Sequence, residues 1–197
     1  MVTFPAQAQS QDAEAAKNDD IVVTADRRGS FGADFVQAGT FRDARLRDTP
    51  LTVAIMTREL LDAQQARSVV DAVRNTPGVT QAQINTSIYS NLAIRGISLH
   101  NFSNVRWNGV LPVINLIEQP IESKDRIEVL KGAAGLYYGF ATPSGIVNLV
   151  TERPADTPIT RVAIQGDSNG SIGANIDVSR RFGDAGLRIN AGSSLLE

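Results

Sequence analysis

The sequence predicts an α+β fold: a small mixed β-sheet with short helices, followed by the first antiparallel strands of an incomplete transmembrane β-barrel. Three observations predict it. The stretch from Asp125 to Pro154 contains two strands. In the first, Ile127, Val129 and the stem of Lys131 alternate with Arg126, Glu128 and Leu130 at a period of two. In the second, Ile146 to Val150 is a β-branched run that suits a strand buried on both faces. Between Thr57 and Gly78 the pattern changes to helical spacing behind capping residues. Beyond Pro154, three segments alternate apolar and polar residues around Gly-containing turns. Such half-apolar strands suit a membrane barrel with lipid on one side and water or protein on the other. A soluble β-sandwich sheet would show the same alternation.

Composition narrows the classes of function. The 197 residues are 42% hydrophobic, enough for a packed core. A net charge of −2 leaves no basic excess to draw nucleic acid or anionic lipid. The absence of cysteine removes disulfides, thiolate nucleophiles and Cys-based zinc sites. With a single histidine, His100, multi-His metal sites and Cys-His catalysis are excluded, and a Ser-His-Asp site would rest on that one residue. Gly132 to Gly145 lacks the spacing of a phosphate loop or dinucleotide fingerprint. An enzyme is not expected. No apolar run reaches the roughly 18 residues of a membrane-spanning helix, so any crossing must use strands.

In chain order, Ala6-Gln7-Ala8 matches a secretory cleavage pattern without the usual charged and apolar segments before it. Residues 1–8 are read as a signal-peptide remnant. Gln9 to Lys17 is polar and lacks apolar periodicity, and the whole of 9–40 is expected to be a flexible N-terminal segment. Within it, Asp20-Ile21-Val22-Val23-Thr24-Ala25 is a short β-prone run with no partner strand in its own segment, the form suited to β-augmentation by another protein. Gly29 to Gly39 is linker-like, and Arg42 to Thr49 is expected to be solvated. Leu51 to Met56 is a strand with Leu51, Val53 and Ile55 on one face. Thr57 caps a helix through Leu60, Leu61 and Ala66, and Ser68 with Asp71 forms a second capping box before Val69, Val70 and Val73. Pro77-Gly78 ends it.

Gln81 to Asn91 reads as a loop, Leu92 to Ile97 as a strand with Arg95 in its middle, and Ser98 to Ser103 as a second loop. Val105 to Asn108 and Val110 to Ile114 form a hairpin around Asn108-Gly109, the strongest short turn signal in the chain. Asn115 to Glu122 returns as loop and short helix.

The wording of Arg126-Ile127-Glu128-Val129-Leu130-Lys131-Gly132, then Tyr138-Gly139, then Gly145, Asn148, Val150-Thr151 and Pro154 resembles the end of the plug domain of TonB-dependent outer-membrane receptors. In that motif Ala133 stands for the usual proline, Ser144 for a common glycine, and Glu152 for a lysine. The resemblance covers about Phe41 to Ala155 and implies a plug domain over 41–155, with residues 156–197 as first barrel strands. It implies that residues 20–25 are a TonB box, the peptide offered to the periplasmic C-terminal domain of TonB. It also implies that Arg95 and Lys131 are the plug side of a lock whose acidic partners lie on the barrel wall. Loops at the plug apex are expected to bring Tyr89, Phe102 and Trp107 as stacking surface, with His100, Asn101, Phe102 and Asn115 as ligand contacts.

Because a plugged barrel needs about 22 strands and this sequence holds about three, the chain is expected to be the N-terminal part of a longer receptor. The plug wording is most similar to ferric-siderophore receptors, which implies an iron-siderophore complex as cargo, no covalently bound cofactor, and a site in the bacterial outer membrane with the N-terminal segment in the periplasm. A stand-alone secreted binding module with a β-augmenting tail strand remains the alternative, and it requires residues 156–197 to pair within the domain.

Overall fold

The computed structural model describes residues 31–38, 41–82, 91–113, 119–166, 168, 170 and 172–195. The expected signal remnant and TonB box lie outside these residues. The centre is a five-stranded mixed sheet in the order β3-β9-β10-β7-β8, numbered by position in the chain. Its strands are β3 (Thr52–Thr57), β9 (Lys124–Lys131), β10 (Gly145–Thr151), β7 (Val105–Trp107) and β8 (Leu111–Pro112). β10 pairs antiparallel with β9 and parallel with β7, which puts it in the middle. Burial on both faces follows, and Gly145 to Leu149 are all buried.

The period of two in β9 sorts its side chains onto two cores. Ile127 and Val129 join Met56, Val147 and Leu149 against helices α1 (Arg58–Ala63) and α2 (Val69–Val73). Leu130 and Ile146 turn the other way and pack with Val36, Ala38 and Ala134. Both helices start as expected. Thr57 Oγ1 accepts the Leu60 N–H at 3.4 Å, and Ser68 Oγ accepts the Asp71 N–H at 3.0 Å. The Asp71 carboxylate reaches back to the Arg67 N–H at 3.4 Å, one residue earlier than a regular capping box.

Three local expectations are corrected. Phe35, Val36 and Ala38, in a stretch read as linker within the flexible segment, are buried. β1 (Phe35–Val36) pairs with β2 (Ala44–Arg45), inside the run read as solvated. Two-residue strands are too short to leave a period. Arg95 is not in mid-strand. It has φ 54° and Gly96 has φ 79°, so the pair makes the turn between β5 (Leu92–Ile94) and β6 (Ile97–Ser98). This small sheet is completed by β4 (Val79–Gln81). Finally, the loop read over Ser98 to Ser103 contains helix α3 (Asn101–Asn104). Asn108-Gly109 turns β7 into β8 as expected, with φ 50° and 74°, the doubly positive conformation of a tight hairpin.

Helix α4 (Gly135–Tyr138) lies in the loop joining β9 to β10. At the return, a Cβ on Gly145 would fall 2.1 Å from the Leu130 carbonyl oxygen, so glycine is required there.

After Pro154 the chain forms a separate antiparallel meander, β11 (Ile159–Gly166), β12 (Ile172–Phe182) and β13 (Ala185–Leu195). Its register aligns Val162 with Ile176 and Ala191, and Val178 with Ile189, on one face. Val162, Ile164, Ile176, Leu187 and Ile189 are exposed there. The other face carries Asp177, Ser179, Arg188 and Asn190. Among the described residues these strands pair with one another and not with the five-stranded sheet. Among the described residues no helix is long and apolar enough to cross a membrane.

Candidate functional site

A carboxylate is built into the middle of the five-stranded sheet. Glu128 projects from β9 towards the β1 side and is 0% exposed. Its Oε1 accepts the backbone N–H of Gln37 at 2.8 Å, its Oε2 accepts Asn148 Nδ2 at 3.0 Å, and Arg126 Nε lies 3.2 Å from Oε1. Asn148 passes the network on, since its Oδ1 accepts the Gly109 N–H at 2.6 Å. Burial pushes the Glu128 carboxyl up from the ordinary glutamate range, and the bond from Asn148 and the charge of Arg126 oppose that shift. Tyr138, beneath the Arg106 guanidinium at 5.1 Å, is pushed up to about 12 by burial and then by the Glu128 charge. Three elements distant in sequence therefore meet on one charge: the lead-in at Gln37, the β7–β8 turn and the sheet.

The end of the sheet at Lys131 and Gly145 gathers several of the expected site residues. Asn104, fully buried, organises it. Its Nδ2 donates to the carbonyls of Gly145 at 2.6 Å and Thr142 at 3.0 Å. Its Oδ1 accepts from Ser103 Oγ, Thr142 Oγ1 and the His100 N–H at 2.9, 2.9 and 3.2 Å. This one side chain sets the helical turn of α3, a tertiary cause that local sequence does not reveal. His100 and Phe102 flank it as a tilted ring pair with centroids 5.2 Å apart, and Phe102 is 57% exposed. Asn101 begins α3, while Asn115 and Tyr89 lie outside the described residues. Trp107 is not with them. It sits next to the Asn108-Gly109 turn, at the opposite end of the sheet, with Lys124 Nζ 4.6 Å from its ring centroid.

Arg95 and Lys131 do come together. Lys131 Nζ donates to the Pro77 carbonyl at 2.6 Å, and the Arg95 N–H donates to Gly78 at 2.7 Å. A Cβ on Gly132, the residue after Lys131, would lie 3.8 Å from Arg95 Nη1. Burial lowers the Lys131 pKa, and the neighbouring Arg95 charge lowers it further. Two cations held side by side form a basic corner suited to carboxylate partners.

A second charge cluster joins the sheet unit to the inner face of the meander, and sequence reasoning missed it. Arg188 on β13 makes a forked contact with Asp177 on β12, at 2.9 Å from Nε and 2.6 Å from Nη2. The same Nη2 lies 2.7 Å from Glu152 Oε2. All three are nearly buried, their side chains being 7% exposed at Glu152, 13% at Arg188 and 5% at Asp177. Asn190 Nδ2 donates to the Glu122 carbonyl at 2.8 Å, and Ser179 Oγ accepts the Ala155 N–H at 2.9 Å. Burial raises the Glu152 pKa, with Arg188 acting against it and Asp177 adding to it. The signal was present as charges recurring on one face of β12 and β13, and as a carboxylate at a motif position worded with lysine.

The family description "TonB-dependent Receptor Plug Domain" matches residues 45–146. This chain belongs to the TonB-dependent receptor plug family. The match takes in four strands of the five-stranded sheet and the start of β10, the helices, and Arg95 and Lys131. The ferrioxamine B receptor of Salmonella typhimurium is 34% identical over 190 residues, covering 92% of this chain and 25% of that protein. The ferrichrome receptor FcuA of Yersinia enterocolitica is 32% identical over 152 residues, covering 73% of this chain and 20% of the receptor. The chain therefore spans a quarter or less of the length of these relatives. Among solved structures, the ferric preacinetobactin receptor BauA of Acinetobacter baumannii superposes with a TM-score of 0.76 at 28% identity, over 84% of this chain and 26% of that one. That likeness reaches further than the plug match alone.

Proposed function

We propose that this chain is the plug and first wall strands of a bacterial outer-membrane receptor that imports a ferric siderophore with energy delivered by TonB. The observation that carries the proposal is the junction, in one chain, of a plug-family domain with a meander whose apolar face is bare. Outward apolar and inward polar rows are what a strand needs between lipid and a plug. The relatives named as ferrichrome and ferrioxamine B receptors support an iron chelate as cargo.

In this reading the domains run as expected from the sequence, with the packed plug extended back to Phe35. Asp20 to Ala25 is the strand offered to TonB in the periplasm, where main-chain hydrogen bonds supply the grip. Arg95 and Lys131 form the plug side of a lock to wall carboxylates. His100, Asn101, Phe102 and Asn115 contact the ligand at the apex, where the exposed Phe102 ring and the His100 ring present one surface. Energy arrives through TonB, so no catalytic group or resident cofactor is required.

The test is iron-limited growth of cells carrying or lacking the gene, supplied with ferrioxamine B, ferrichrome or pyoverdine. Growth on at least one chelate only when the gene is present is expected, and Ile21→Pro should abolish uptake while leaving chelate binding to whole cells. Equal growth with and without the gene on every chelate, or uptake untouched by Ile21→Pro, would overturn the proposal.

A further inference from the structure

We infer that Glu152 and Arg188 are a matched pair that fastens the plug's exit to its own wall and decides which wall strands this plug can be joined to. The inference rests on the reading of β11–β13 as wall strands. Arg188 is the only cation touching both Glu152 and Asp177 among the described residues, and its guanidinium spans the two carboxylates at 2.7 and 2.6 Å. Without it, two nearly buried carboxylates would face one another.

The surrounding seam leaves little room for rearrangement. Arg188 Nη1 also donates to the Arg153 carbonyl at 3.1 Å. A Cβ on Gly186 would fall 2.5 Å from Pro154 Cβ, and one on Gly192 3.5 Å from Glu122 Cγ. Gly186 therefore lets β13 lie close against Pro154, while a Cβ at Gly192 would make ordinary contact with Glu122. Arg58 contributes a more distant positive field at Glu152, while its guanidinium is engaged with Asp62 and the carbonyls of Ile121 and Lys124. Lys124 is turned to the Trp107 ring and to Ser123 Oγ. Arg188 is therefore the cation in direct contact with Glu152.

The motif wording has lysine at position 152. A lysine here would set two cations around Asp177, whereas with Arg188 removed the same lysine would be the cation that Asp177 lacks. The charge at 152 and the charge at 188 are alternatives, and this chain has placed the cation on the wall.

The experiment exploits the absence of cysteine from this chain, any cysteine elsewhere in the receptor being first replaced by serine. Ser179→Cys, fully buried beside Ala155 on the seam, is a single reporter labelled by a water-soluble maleimide on the protein in isolated outer membranes. With Arg188 present, labelling should speed up in the order unchanged Glu152, Glu152→Gln, Glu152→Lys, the last by at least about tenfold, since breaking one member of a buried ion pair is strongly unfavourable. In an Arg188→Gln background the order should reverse, with Glu152→Lys labelled slowest. The same order in both backgrounds, or no dependence on residue 152, would overturn the pairing. Glu152→Gln, nearly the same shape, keeps the test readable if Glu152→Lys fails to assemble. The labelling order reports on the pair whatever the cargo, while chelate-dependent growth reports on the receptor reading.

Discussion

The central sheet and the meander are written in the same alternating code and put it to different uses. In β9 and β10 both alternating sets are buried, so even the polar set must find partners inside the protein: Glu128 takes Asn148, Arg126 and the Gln37 N–H. In β12 and β13 only one set meets protein. Asp177, Ser179, Arg188 and Asn190 make the seam, and the apolar set stands bare. Alternation fixes which residues share a face, but what that face touches decides whether a polar residue is a buried partner or part of a seam.

Substitutions can break this comparison at either sheet. The largest effect is expected at Gly145, where φ is +146° and a Cβ would meet the Leu130 carbonyl at 2.1 Å. Gly145→Val should cost more than about 3 kcal/mol from backbone strain and overpacking, read as a lowered urea midpoint. The matching change in the meander, Gly183→Ala at φ +61° with nothing within 4 Å, should cost only about 1 kcal/mol. Asn104→Ala should follow at about 2–3 kcal/mol, because it leaves buried donors and acceptors around Gly145 and Thr142 unpaired. Faster hydrogen exchange at the His100 and Thr142 amides, both bonded to Asn104, would accompany it.

On the bare face, Ile164 is 78% exposed. Ile164→Arg should be nearly neutral in aqueous detergent-free assays of a soluble protein but cost about 2 kcal/mol in a bilayer. Comparing the two in folding titrations tells whether that face meets lipid. The effect that depends on pH belongs to Glu128. Its folded pKa lies above its unfolded value, so the folded state holds the proton more tightly and stability falls as pH rises from the ordinary glutamate range through the raised one. Glu128→Gln should flatten that fall, by at most about 1.4 kcal/mol per pH unit, measured as urea midpoints across pH 4 to 8. A slope identical in both proteins would place the titration elsewhere.

Much of the fold was legible because its causes are local. Thr57 and Ser68 mark helix starts, Asn108-Gly109 marks a turn, and Ile127 to Lys131 marks a strand. What was not legible depends on partners far along the chain. Arg95 adopts positive φ in a tight turn, and only Gly96 beside it hinted at that turn. Helix α3 depends on Asn104 reaching Thr142 and Gly145, about forty residues on. β1 is held by contacts to β2 and Glu128 and carries too few residues to show a period. For the candidate site, Arg95 and Lys131 lie together, and Trp107 does not join His100 and Phe102 because β7 runs parallel to β10 and carries it to the far end of the sheet. Glu152 was visible as a departure from the motif, but Arg188, its counter-charge, is separated from it by a whole hairpin.

Gln37 ties the two cores to the mechanics of the molecule. A tension applied to the chain before Phe35 meets the ladder to β2, the Leu46 N–H bonded to the Asp34 carbonyl, the buried side chains of Val36 and Ala38, and the hydrogen bond from the Gln37 N–H to a carboxylate in the sheet interior. At the other end of the plug, the exit is held by the forked Arg188 contacts and its neighbours. The two ends of the sheet unit are therefore fastened by different physics: the lead-in by apolar burial and one hydrogen bond to an interior carboxylate, the exit by forked contacts between charges.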